Sequence, residues 1–147
     1  MLEIRPFQPS DEADVIALWR ACDLLRPWND PAKDIARKLR VRPDLFLVGI
    51  ESGEIVATAM AGYEGHRGWI NYLAVRPSCQ RRGYGRAIMA RAEQLLREAG
   101  CPKINLQVRS ENKAAVEFYR VIGFAEDQVL SFGKRLETDQ NSMEKGQ

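Results

Sequence analysis

The chain has 147 residues, 45% hydrophobic and 29% charged, the size and balance of a single globular domain. Its 22 Lys and Arg against 20 Asp and Glu leave a charge of +2, too weak a basic bias for a dedicated nucleic-acid binder. Three cysteines (Cys22, Cys79, Cys101) form no CxxC pair and His66 is the only histidine, which argues against a disulfide framework and a structural zinc site.

Glu3, Arg5 and Pro6 stand where a signal peptide needs an apolar run, and no stretch approaches 18 apolar residues. With its unpaired thiols, the chain is expected to be cytoplasmic, metal-free and without a membrane segment.

Leu2 to Phe7 alternates apolar and polar, as a short strand does. Acids at Asp11 and Glu12 open a helix over about 11–23, with Val15, Leu18, Trp19 and Cys22 at helical spacing. Asp30 and Pro31 are a cap and a first-turn proline, and Ile35 and Leu39 give that second helix its apolar face. Leu45 to Glu51 and Glu54 to Tyr63 read as strands joined by a Ser52-Gly53 turn. Trp69 to Val75 is a central strand, and a helix follows from Tyr84 to Ala99, closed by Gly100 and Pro102. Lys103 to Arg109 alternates as a strand, Asn112 to Ile122 is helical, and Phe124 to Leu136 is weakly β-like. The domain is expected over 1–137, with a polar, disordered tail over 138–147.

The resulting order, β-α-α-β-β-β-α-β-α-β, predicts an α/β (α+β) fold. A mixed, mostly antiparallel sheet of six to seven strands would carry about four helices on both faces.

Gln80-Arg81-Arg82-Gly83-Tyr84-Gly85 lies between a strand and a helix. Glycines there let backbone N–H groups point outward, and the helix N-terminus adds partial positive charge, so the loop can cradle a phosphate. A tight turn with no ligand is the plainer alternative. Ile88 stands at the third glycine of a dinucleotide fingerprint, and neither a Walker loop nor GxSxG occurs. Downstream, Asn112, Ala115 or Val116, and Tyr119 share one helix face, which suits either a site or a capping asparagine with a core tyrosine.

Together, Gln80-x-x-Gly83-x-Gly85 and Asn112-x-x-Ala115-x-x-x-Tyr119-x-x-x-Gly123-Phe124 resemble the GNAT family of acyl-CoA N-acyltransferases. The resemblance covers about residues 1–136. The stretches 22–31, 65–68 and 100–104 resemble a bacterial acetyltransferase type within that family. It implies acetyl-CoA as co-substrate and an amine as acceptor. It places the pyrophosphate on backbone groups of Arg81, Arg82, Gly83, Tyr84, Gly85 and Arg86, and the pantetheine arm along Leu73, Ala74 and Val75. Asn112 would contact the cofactor, and Tyr119 would protonate the departing thiolate. Glu64 is the catalytic base candidate with His66 beside it; a solvated loop acid and a locally bonded histidine are the plain alternatives. Some N-terminal acetyltransferases of the family carry a glutamate where this chain has Gln107, which cannot act as a base. Arg26, Trp28 and Asp30 fall in a region that lines the acceptor side in the family, suiting a zwitterionic amine or a peptide terminus.

The competing readings are a non-catalytic acyl-CoA-binding regulatory module and nucleic-acid binding through the arginine-rich loop. Monomer and homodimer are both open. Residues 65–92 hold six arginines and no acid, so the small net charge averages a cationic segment against an acidic remainder.

Overall fold

Alternation along Phe46–Glu51 sends successive side chains to opposite faces of a sheet, and both faces are covered. Phe46 and Val48 join Phe7, Val15, Leu18, Trp19 and Ile35 in one core. Leu45 and Leu47 join Ile70, Ile88, Met89, Ala92 and Leu96 in the other. The computed structural model describes residues 1–139.

Five strands, β1 (Glu3–Pro6), β2 (Phe46–Glu51), β3 (Glu54–Tyr63), β4 (Gly68–Val75) and β5 (Ile104–Leu106), lie in sequence order across the sheet. The first three pairings are antiparallel and β4–β5 is parallel. Helices α1 (Glu12–Ala21) and α2 (Pro31–Lys38) cover one face; α3 (Tyr84–Glu98) and α4 (Lys113–Val121) belong to the other.

Local chemistry sets the boundaries. Asp30 Oδ1 accepts from the N–H groups of Ala32 and Lys33 at 2.9 and 3.2 Å, capping α2. Asn112 Oδ1 caps α4 by accepting from Ala115 N at 3.1 Å. Ser52 and Gly53 both take positive φ, as a two-residue hairpin turn requires. Asp11 differs from the expected cap: its carboxylate accepts from Gln8 N at 2.8 Å and takes both Arg5 guanidinium nitrogens, at 2.8 and 3.0 Å.

The β4–β5 pairing ends at Ile70–Leu106, so β4 continues through Asn71–Val75 without its parallel neighbour. The predicted strand over Lys103 to Arg109 is therefore three residues long. A bulge marks the point of departure. Between the Thr58–Ala74 and Met60–Asn71 pairs, Tyr72 and Leu73 oppose Ala59 alone, and Tyr72 has φ of 51°.

The expectation of six to seven strands is corrected to five among the described residues. Phe124 to Leu136 forms no strand. It meets the residues that flank β5 through side chains rather than backbone: Lys103 Nζ to Asp127 at 2.8 Å, and Gln107 to Ser131. Val129, Leu130, Phe132 and Leu136 stay 74–92% exposed, so beyond Phe124, which packs on the core, these apolar side chains do not hold the stretch to the sheet. Of the tail expected over 138–147, Asp139 is buried against Arg37; residues 140–147 lie outside the described residues.

Candidate active site

Where β4 leaves β5 the sheet opens into a cavity of about 790 Å³, in the range of small-molecule sites. Leu73, Gln107, Val108, Asn112, Ala115 and Tyr119 line it together with Cys22, Arg26, Trp28, Asp34 and Lys38.

The left-handed backbone of Tyr72 is held from three directions. Its ring stacks on Trp19 with centroids 3.8 Å apart. Its hydroxyl donates to Asp34 Oδ2 at 2.6 Å. Its carbonyl accepts from Thr58 Oγ1 at 2.8 Å, while that same oxygen accepts from Trp19 Nε1 at 2.9 Å. A non-glycine residue at positive φ is strained, and it persists where the surroundings over-determine it. The strain therefore sits on the cavity wall, beside Leu73.

Tyr119 is half-buried between Phe118 and Phe124, both edge-on, with centroids at 5.2 and 5.7 Å. Its hydroxyl has no hydrogen-bond partner among the described residues. Burial pushes its pKa up to about 12, so the phenol is protonated at neutral pH.

The glycine loop is built as a donor array. Arg81 and Gly83 take positive φ of 67° and 79° ahead of α3. The N–H groups from Arg81 to Arg86 have no acceptor among the described residues, and a Cβ on Gly83 would meet only open space. Such an array at a helix N-terminus fits an anionic pyrophosphate. Glu51, which the sequence did not single out, anchors the rim through Arg82 at 3.3 Å and through the Tyr84 hydroxyl. Gly85 is where the two motifs meet, since an added Cβ would lie 3.2 Å from the Phe118 ring.

The other expected residues fall as follows. Leu73 and Asn112 line the cavity, with Asn112 also serving as the α4 cap. Ala74 is buried beside the bulge. The Val75 carbonyl is engaged by Cys22 Sγ at 3.3 Å and by Gln80 Nε2 at 3.2 Å, so that oxygen serves the protein's own latch.

Glu64 is not brought to Tyr119. It lies outside the cavity lining, in the β3–β4 turn, where its carboxylate accepts from the backbone N–H groups of His66 and Arg67. Those bonds hold its pKa below the usual carboxylate range, which weakens it as a base. His66 sits in the same exposed turn. Arg26 lines the cavity, and its guanidinium donates to the carbonyls of Asp23 and Leu25 at 2.9 Å. The sequence reading missed Trp19, Thr58, Tyr72, Asp34, Lys38 and Arg109. Only α2 carried a signal, in the turn-spaced Asp34 and Lys38.

The sequence model described as the Acetyltransferase (GNAT) family matches residues 13–124. A protein named acetyltransferase from Sodalis glossinidius is 51% identical over 140 residues, covering 95% of this chain and 99% of that one. One of the same name from Yersinia enterocolitica is 49% identical over 139 residues, with the same coverage. Among solved structures, Ard1 from Thermoplasma volcanium superposes with a TM-score of 0.73 at 28% identity, over 84% of this chain and 82% of that one. The PaiA N-acetyltransferase of Thermoplasma acidophilum, solved with coenzyme A, gives 0.79 at 17% identity, over 88% and 92%, a likeness of fold.

Proposed function

The chain belongs to the GNAT acetyltransferase family, and on that premise we propose that it moves an acetyl group from acetyl-CoA to a primary amine in one ternary complex. The observation that carries the reading is Tyr119, a phenol kept protonated by burial, on the wall of the cavity that β4 and β5 open. The Arg81–Arg86 donor array would hold the pyrophosphate, and Leu73 with Asn112 would flank the pantetheine arm.

In the transfer, the amine nitrogen forms a bond to the thioester carbonyl carbon and the carbon–sulfur bond breaks. Tyr119 gives its proton to the departing sulfur and regains one from water, which also takes the proton lost by nitrogen. A backbone N–H at the bulge would stabilise the developing oxyanion. Cys22 lines the cavity, but burial pushes its thiol pKa up and it donates to the Val75 carbonyl. It is therefore a poor nucleophile, which favours direct attack over an acyl-enzyme.

A thiol-release assay across a panel of amines tests this. Sustained CoA release is expected, and Tyr119→Phe should lower kcat by about 100-fold while leaving the acetyl-CoA KM unchanged. Unchanged turnover in the variant would remove Tyr119 as the acid. Absence of release with every amine would favour the non-catalytic acyl-CoA-binding reading.

A further inference from the structure

The cavity holds more cations than it neutralises. Arg26, Arg37, Lys38 and Arg109 line it against two carboxylates, Asp23 and Asp34. Arg37 is saturated, by Asp34 at 3.2 Å, Asp139 at 2.7 Å and Glu137 at 3.6 Å. Arg26 donates to backbone and lies 3.7 Å from Asp23. Asp34 also accepts from Tyr72.

Two cations remain. Lys38 has no hydrogen bond or ion pair among the described residues, and its ammonium packs over Gly62 of β3, 3.5 Å from where a Cβ would stand. Its neighbour Asp44 is taken bidentately by Arg42 at 3.0 and 2.9 Å. Burial lowers the Lys38 pKa, outweighing the pull of the nearby Asp44, which Arg42 already holds. Arg109 lies with its guanidinium carbon over the Trp28 ring, 5.8 Å from the centroid, and has no carboxylate partner among the described residues. The planar guanidinium fork is the group whose geometry matches a carboxylate.

We propose that the acceptor is a small amine that also carries a carboxylate, an amino-acid-type molecule whose carboxylate is read by Lys38 and Arg109. This rests on the acetyl-transfer reading above and names its substrate class. The carboxylate supplies the counter-charge that Lys38 and Arg109 lack, and the cavity encloses the volume of a small molecule. Tyr119 lines the same cavity, so an amine held through its carboxylate shares the space with the phenol.

The test compares L-amino acids, each paired with its own carboxamide, in the thiol-release assay at saturating acetyl-CoA. The carboxylate form is expected to exceed the carboxamide at least tenfold in kcat/KM, roughly the 1.4 kcal/mol of one charge-assisted contact. Lys38→Met and Arg109→Gln should each erode that preference through the acceptor KM, with the acetyl-CoA KM unchanged. Lys38→Arg should keep it. Thermal-shift titration of the CoA-loaded protein with each pair gives a readout independent of turnover, and the amino acid alone should stabilise. Carboxamides that react or bind as well as the acids, or a preference that survives both substitutions, would overturn the proposal while leaving acetyl transfer standing. No CoA release from any amine would overturn acetyl transfer, and the proposal with it.

Discussion

Thr58 is the residue whose small size hides its weight. It is fully buried, and one hydroxyl ties the Trp19 indole to the strained Tyr72 carbonyl. Thr58→Val keeps the shape but leaves the indole N–H and that carbonyl unpaired, which costs about 1–3 kcal/mol. Urea denaturation should show this loss, and Thr58→Ser should recover most of it. Catalysis should fall further than stability alone explains, because the bulge that exposes Leu73 depends on Tyr72. A variant of full stability would show that the bulge holds itself. Tyr119 and Asn112 were legible in the sequence because two local motifs carry them at a fixed separation. Thr58, Lys38 and Arg109 were not. Thr58 meets Tyr72 across two strands, and Lys38 and Arg109 reach one cavity from elements about 70 positions apart. Period and propensity carry no trace of such a convergence.

At the scale of elements, α2 is fixed at both ends of its exposed side. Asp30 caps its start, and Arg37 in its last turn takes both oxygens of Asp139, at 2.9 and 2.7 Å. The Asp30 backbone N–H also donates to Asp139, at 3.2 Å. These contacts hold the Asp139 pKa well below the usual carboxylate range. A depressed folded value contributes stability above the unfolded carboxylate value of about 4 and loses it as pH falls through the folded value. Asp139→Asn should therefore melt below wild type at neutral pH, with the gap narrowing as pH drops below about 4. A gap that stays constant into acid would mean the pair contributes packing rather than charge. The caps at Asp30 and Asn112 and the closing Gly100 were readable, since each acts on backbone within a few residues. The strand expected after Phe124 was not realised. Val129, Leu130 and Phe132 suit a strand, but membership of a sheet depends on a partner edge, and the side chains of Lys103 and Gln107 meet that segment instead.

Across the whole molecule, the cationic segment over 65–92 divides into anchored and free arginines. Arg76 pairs with Glu54 at 2.8 Å and Arg82 with Glu51 at 3.3 Å. Arg81 and Arg86 flank the donor array with no partner among the described residues. The free charges thus stand beside the proposed pyrophosphate cradle, and exposed charges of this kind are screened by salt. Arg81→Gln and Arg86→Gln should each raise the acetyl-CoA KM roughly threefold and flatten its dependence on ionic strength, with kcat little changed. An unaltered KM would leave the cradle to backbone N–H groups alone. No helix among the described residues is long and apolar enough to cross a membrane.

The most direct measurement follows free CoA thiol and N-acetylated amine together, by colorimetry and mass spectrometry, in one reaction with an amino-acid acceptor. Acetyl transfer predicts equal amounts of the two products at every time point, with both rates falling together in Tyr119→Phe. Thiol without acetylated amine would make the protein a thioesterase, and neither product would make it a binding module; each contradicts the account.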